Sequence, residues 1–560
     1  MATATELRDT LRDVPLSMEL PGAAEAREQA ASAVRQLDDY VLPRLRNVDA
    51  PVLVVVGGST GAGKSTLVNT LVGDEVSRPG VLRPTTRSPV LVHHPDSERW
   101  FGDDRVLPDL ARVRGGPSES PDHVELVARE SVPPTLALLD APDIDSVVDA
   151  NRAVASQLLD AADLWLFVTT AARYADAVPW AFLRRAVARG VGVGLVLNRV
   201  PPGATGEIGS HLGEMLRTEG LGEAPVFTVE EQPLTDGRLP EPAVQPLKSW
   251  LGALAADHDA RADLVRRTLV GTINELATRS DRVAGAVKYE GEMLDWMAGR
   301  AADAFDRATW NVAVDVRDGT VMRGEVLARW QDLVGTGEFF RQVQSTIGRL
   351  RDRLTSAVTG RTPNAERFQG AVTSGVEQLV LEHAAAAVDE TVGQWRAQPA
   401  GGALLTAEAE GGHDLTRPSS DLPARTERMV RDWQAGLMDL LRRESKGKQF
   451  TARFFSYGVN AAALVLMVAV FSQTGGLTGA EVAIAGGTSA VGQRLLEALL
   501  GDQAVRQLTA DARADLEQRV AALMVTERGP FDTALAARRA GSDGSDITAI
   551  ARRLRDEVGQ

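Results

Sequence analysis

Between residues 52 and 229 the chain carries six short runs in which apolar residues dominate: "VLVVVG", "PVLVHH", "TLALLD", "LWLFVTT", "GVGLVLN" and "APVFTV". Each is too short to be a core helix, is rich in Val or Leu, and is separated from the next by a stretch with helical composition. Strands alternating with helices in this way predict a mainly parallel sheet covered on both faces. Ahead of them, "GAAEAREQAASAVRQLDDYVLPRLRN" (22–47) places apolar residues at mixed three- and four-residue spacing, which predicts helix. After about Leu251 the β signal fades. Residues 260–398 read as long helices, among them "GEVLARWQDLVGTGEFFRQVQSTIGRLRDRL", whose Trp and Leu stripes are helix-packing positions. A Gly/Pro/Ser-rich stretch predicts a flexible break near 397–426, with helix resuming at about 427 and again from Gln493.

A different pattern interrupts the last part of the chain. From Phe454 to Phe471 eighteen residues pass without a charge. As a helix they would rise about 27 Å, close to one hydrocarbon core. Arg442, Arg443, Lys446, Lys448 and Arg453 precede the run, with Glu444 as their sole acidic neighbour. Such a collar suits the cytoplasmic side of a membrane and would attract anionic headgroups at about 1 kcal/mol per charge. A weaker apolar arm, Val482 to Gln493, is too short to span alone, but Ala483 and Gly487 would let it pack closely on the first. The expectation is a membrane-inserting helical hairpin over 451–500; the competing one is a hairpin buried within protein.

Composition narrows the chemistry. With 560 residues the chain has room for about three domains. A net charge of −15 argues against nucleic acid as a partner, since such binding needs a basic footprint. There is no cysteine, which excludes disulfides, thiolate metal sites and cysteine nucleophiles. The first twenty residues lack the basic-then-apolar order of a signal peptide. His93-His94 has no partners at ligand spacing and reads as a strand end before Pro95.

The strongest chemical signal is "GSTGAGKS", Gly58 to Ser65, which fits G-x-x-x-x-G-K-[ST] between a strand and a helix. Glycines here let successive backbone N–H groups converge on a phosphate at a helix N-terminus. The nucleotide-contacting residues expected from it are Gly58, Ser59, Thr60, Gly61, Ala62, Gly63, Lys64, Ser65 and Thr66. Lys64 would bridge the β- and γ-phosphates, and Ser65 would ligate Mg²⁺. Asp140, at the end of "TLALLD", is placed to hold Mg²⁺ through water.

The order of these motifs resembles the dynamin superfamily of GTPases, more closely the bacterial dynamin-like proteins. The Arg-rich chain, with five lysines among 61 basic residues, suits an actinobacterial member. "Thr-Arg-Ser-Pro" in "LRPTTRSPV" is similar to the family's Thr-Arg-x-Pro, which favours Thr86 over Thr85 as the switch residue closing over Mg²⁺ and the γ-phosphate. The resemblance thus implies Lys64, Ser65, Thr86 and Asp140 as catalytic, with Ser65, Thr86 and Asp140 around the metal.

Three positions depart from the family. Where it usually has D-x-P-G, this chain has Asp140-Ala141-Pro142-Asp143, which sets a second carboxylate near the phosphates. Where it has [NT]-K-x-D, this chain has Asn198-Arg199-Val200-Pro201, without the carboxylate that reads guanine. Asn198 and Arg199 remain the candidates for contact with the base. Thr60 stands where many dynamins place the Gln that positions the attacking water, so hydrolysis should be slow.

The fold implied is an α/β P-loop GTPase domain followed by an extended all-α stalk with the membrane hairpin. Its segments would be an N-terminal helical segment at 1–48 packing with the stalk, the GTPase domain at 49–258, the stalk at 259–450, the hairpin at 451–500, and C-terminal helices at 501–560 returning to the stalk. The family implies GTP as substrate with Mg²⁺, anionic membrane lipids, and homo-oligomers through the GTPase domain and stalk, with or without a paralogous dynamin-like protein. It also implies a cell-membrane location with the GTPase and stalk on the cytoplasmic side, and membrane bridging or remodelling as in division or septation. Alternatives are a nucleotide-switch scaffold with little hydrolysis and a transporter-type ATPase.

Overall fold

A computed structural model of the chain describes residues 1–47, 49–78, 88–102, 106–115, 120, 122–146, 149–322, 328–329, 363–444, 502–539 and 543–559. These residues divide into two compact units. The first contains Met1–Leu16, Pro21–Tyr289 and Ala540–Gln560, the second Ser17–Leu20 and Glu290–Arg539. The division therefore falls at Tyr289/Glu290, later than the expected end of the GTPase domain at residue 258.

The first unit is built on an eight-stranded sheet: β1 (Val52–Gly58), β2 (Val90–His93), β3 (Ala111–Val113), β4 (His123–Ala128), β5 (Leu136–Asp140), β6 (Leu164–Thr170), β7 (Gly192–Val200) and β8 (Val226–Glu230). Their order is β3-β4-β2-β5-β1-β6-β7-β8. Every neighbouring pair is parallel except β2 with β5, which runs antiparallel with Val90 opposite Asp140. All six expected strands form. β3 and β4 were not expected; they extend the edge beyond β2.

The helices of this unit up to residue 256 are α1 (Ala2–Arg12), α2 (Ala23–Gln36, continued by a π turn over Leu37–Val41), α3 (Leu42–Arg46), α4 (Lys64–Val72), α5 (Glu98–Phe101), α6 (Asp149–Asp160), α7 (Ala177–Arg189), α8 (Thr205–Thr218) and α9 (Glu241–Ala256). Alternation along β1 sets the two faces of the sheet. Leu53 and Val55 join a core with Leu158, Leu159, Leu183 and Leu212 from α6, α7 and α8. Val52, Val54 and Val56 join another with Leu67, Val68, Val244 and Leu247 from α4 and α9. Helices thus cover both faces, as the pattern predicts.

A third core gathers the ends of the chain. Ala4, Leu7 and Leu11 of α1 pack with Leu37 and Val41, with Leu276 and Val283 of α10 (His258–Arg317), and with Ile550 and Leu554 near the C-terminus.

In the second unit the described residues are mainly helical: the rest of α10, α11 (Pro363–Arg396), α12 (Pro399–Glu410), α13 (Leu422–Glu444) and α14 (Asp502–Ala536). Buried Trp395 and Trp433 donate their indole N–H groups to Met297 O (3.0 Å) and Ala512 O (2.9 Å), which fixes α11 on α10 and α13 on α14. Part of the expected break near 397–426 is the twelve-residue helix α12. Pro399 stands in its first turn, where no N–H is needed, and Ala, Leu and Glu outweigh its two glycines.

Among the described residues no helix is long and apolar enough to cross a membrane. The expected hairpin at 451–500 and most of the predicted helix at 324–354 lie outside the described residues. The last helix, α15 (Ser545–Gly559), belongs to the first unit.

Candidate nucleotide site

The loop 58–65 leaves the end of β1 and enters α4 at Lys64. Two of its glycines are required by space. A Cβ on Gly58, whose φ is 152°, would lie 2.0 Å from the carbonyl oxygen of Val168 on β6. One on Gly63, at φ +92°, would lie 2.5 Å from Nδ2 of Asn198 on β7. The loop is pressed against its neighbouring strands, and Leu67 N–H bonds to Gly63 O (2.9 Å) to begin the helix. The N-terminus of α4 thus begins at the end of the loop, where an anion site of this kind is built.

Lys64 is buried, with 5 % of its surface exposed. Its ammonium donates to Gly58 O (3.0 Å), to Ser59 O (3.1 Å) and to the carboxylate of Asp143. Ser65 Oγ donates to Asp140 Oδ2 at 2.6 Å, and Ser77 Oγ donates to the same oxygen at 2.6 Å. Asp140 is fully buried, and its Oδ1 has no hydrogen-bond partner. Burial pushes its carboxyl above the usual range, against the pull of the Ser65 and Ser77 hydroxyls and the Lys64 charge.

A buried carboxylate oxygen left open beside a serine hydroxyl suits a hard divalent cation, so these residues fit Mg²⁺. Among the described residues no group of three His, Asp or Glu side chains forms a metal site. Mg²⁺ here would therefore rely on Ser65, Asp140 and phosphate oxygens. Thr85 and Thr86 lie outside the described residues.

Thr60, at the tip of the loop, gives both its N–H (2.6 Å) and its hydroxyl (2.7 Å) to Asp145 Oδ1. Arg173, in the turn after β6, binds Asp145 Oδ2 (2.8 Å) and Asp176 (3.0 Å) and donates to Thr60 O (3.1 Å). Burial raises the Asp145 carboxyl, but the two Thr60 hydrogen bonds and Arg173 outweigh it and hold it below the usual range. Sequence reasoning missed Asp145, Arg173 and Ser77. Arg173 and Asp145 follow strands at the carboxyl edge of a parallel sheet, where ligand sites form, and that placement was the available signal.

Asn198 is buried and uses both ends of its amide within the protein. Nδ2 donates to Ala62 O (2.8 Å), and Oδ1 accepts from Arg199 N (2.9 Å). Arg199 takes a left-handed φ of 53° at an irregularity in the β7–β8 pairing, and its side chain is exposed. Asn198 thus ties β7 to the phosphate loop, and Arg199 stands free of that tie. Gly61 is exposed and Thr66 half-buried. His94, for its part, accepts from Asp96 N (3.1 Å) and caps a short turn, while His93 is buried beside Phe101.

Residues 54–190, which span the loop, Asp140 and Arg173, match the family model described as "Dynamin family". This segment is a dynamin-family GTPase domain. The match sets aside the transporter-type ATPase. No curated protein matches the chain. Among solved structures, one described as "An oligomerised bacterial dynamin pair provides a mechanism for the long range sensing and tethering of membranes" is 11% identical, with 100% of this chain and 99% of that chain covered and a TM-score of 0.41. Toc33 from Arabidopsis thaliana, in complex with Mg²⁺ and GMPPNP, is 14% identical over 46% of this chain and 97% of its own, with a TM-score of 0.25. Both fall below the level at which a shared fold follows. Within the dynamin-family domain Asp143 occupies the usual glycine position, and its carboxylate turns into the site rather than away from it.

Proposed function

We propose that the chain binds GTP with Mg²⁺ at residues 58–65, hydrolyses it, and uses the cycle to bridge or remodel a membrane. The observation that carries the nucleotide half is the unpartnered Oδ1 of buried Asp140 beside the Ser65 hydroxyl, within reach of the Lys64 charge. In this reading the loop amides and Lys64 hold the β- and γ-phosphates, while Ser65 and Asp140 hold the metal. Thr86 closes over the γ-phosphate. When bound, Mg²⁺ would neutralise charge on the phosphate oxygens. Arg199 covers the base. The membrane half rests on the apolar run at 454–471 and its basic collar. The oligomeric assembly, the cytoplasmic face of the cell membrane and a division or septation role follow from the resemblance.

A second reading, a switch that scarcely hydrolyses, draws support from one feature. Thr60, in the place of a water-positioning side chain, is already committed to Asp145.

Calorimetry with Mg²⁺ and a non-hydrolysable GTP analogue tests the site. Lys64→Ala should abolish measurable binding, because it removes the bridging charge and leaves β1 and α4 in place. Equal binding by wild type and variant would sink the assignment. ATP competing as well as GTP would remove the guanine preference and leave the site standing.

A further inference from the structure

An ammonium group has three protons to donate. Two of those on Lys64 go to the carbonyls of Gly58 and Ser59, which belong to the loop itself. The third goes to Asp143, and both side chains are about 95 % buried, with 5 % of each exposed. A phosphate oxygen arriving at Lys64 has no other proton to take. The residues around Asp143 are also anchored to the loop. Ile144 N–H reaches Gly58 O (3.4 Å), and Asp145 holds Thr60 through two hydrogen bonds while paired with Arg173. One short segment after β5 thus grips the loop at its lysine and at its tip.

The geometry points to Asp143 as a built-in counter-ion that a nucleotide's phosphates must displace from Lys64, with the 143–145 segment and Thr60 moved as a consequence. This rests on the reading of residues 58–65 as the GTP site and adds its regulation. Asp143 acts in two directions. Within the fold it neutralises a buried lysine, which would otherwise be left as an uncompensated charge. Towards a phosphate it is a competitor of like charge for the same proton. Both effects come from one contact, so one substitution should change them in opposite senses. In the family's usual sequence a glycine supplies neither effect.

The test uses the full chain with Asp143→Asn, Asp143→Gly, Lys64→Ala and the double variant Lys64→Ala/Asp143→Asn. Calorimetry with Mg²⁺ and a non-hydrolysable GTP analogue should show both Asp143 variants binding about ten- to a hundredfold more tightly than wild type. That is the range expected when a competing charge-assisted hydrogen bond is removed. Thermal unfolding without nucleotide should show both single Asp143 variants melting below wild type. In the Lys64→Ala background the same Asp143→Asn change should no longer lower the melting temperature, since no lysine is left unpaired. Unchanged or weaker binding by both Asp143 variants, while wild type binds, overturns this inference alone. Equal destabilisation by Asp143→Asn in both backgrounds also overturns it, because the pair would then not be the cause. If neither wild type nor any variant binds the analogue, the pair is an ordinary structural contact and the GTP site falls as well.

Discussion

Asp39 is a carboxylate with one hydrogen bond for two buried oxygens. Gln157 Nε2 donates to Oδ2 at 2.9 Å, and Oδ1 has no partner. Burial pushes its carboxyl up to about 7; Gln157 opposes the shift, while the charges of Asp109, Asp38 and Asp160 add to it. A folded-state value above the unfolded one means that the native protein holds a proton the unfolded chain has released. The associated stability is complete below about pH 4 and is lost as pH rises to about 7, with at most about 4 kcal/mol at stake. Asp39→Asn is neutral at every pH and should remove this loss. The variant should match wild type in thermal unfolding near pH 4 and melt higher at pH 8. A variant melting lower at pH 8 would show that the Asp39 charge is compensated in the fold.

Among the elements, two glycines of α10 give opposite predictions. Gly271 is where the helix meets the C-terminal end of α7: a Cβ there would lie 1.9 Å from Arg189 O. Gly285, one region along the same helix, is exposed and has nothing within 4 Å of its Cβ position. Gly271→Ala should therefore destabilise by about 1–3 kcal/mol through overpacking, and Gly285→Ala should stabilise by up to about 1 kcal/mol through helix propensity. Urea unfolding of the two variants measures both; a gain at Gly271 would mean that the helices separate freely.

The same scale explains what the sequence disclosed. The six expected strands are nearly continuous apolar runs, because both faces of the sheet are covered. β4 was missed because it alternates half-exposed His123 and Glu125 with buried Val124 and Leu126, and β3 has only three residues. Lys64, Ser65 and Asp140 were legible because their chemistry is local to a loop and a strand end. Asp143 on Lys64, Asp145 on Thr60 and Arg173 on both depend on three segments meeting across the sheet edge. No spacing along the chain encodes that meeting.

For the whole molecule, the termini share a unit with the sheet. Thr3 Oγ1 donates to Glu557 Oε1 (2.6 Å), and Arg553 pairs with Glu6 (2.8 Å), so α1 and α15 close on each other although the chain between them passes through the second unit. Among the described residues, the cores of this nucleotide unit are drawn from outside 454–492. Replacing Leu464 and Val468 by Asp should release the protein from anionic liposomes, since a charge near a helix centre costs about 2.5–3.5 kcal/mol. Analogue binding should survive. Flotation in 1 M salt is the measurement, because apolar insertion is unscreened whereas the collar's attraction is not. Wild type and variant floating alike, or neither binding lipid, would assign the apolar run to protein packing.

The contact between Lys64 and Asp143 also bears on how a spent nucleotide leaves. Loss of a phosphate from a buried lysine would ordinarily leave that charge uncompensated. On the displacement proposed above, a departing phosphate would be replaced at the same nitrogen by the Asp143 carboxylate, as one ligand substitutes for another. Release would then be an internal replacement, with the buried lysine passing from one anion to another instead of being left unpaired.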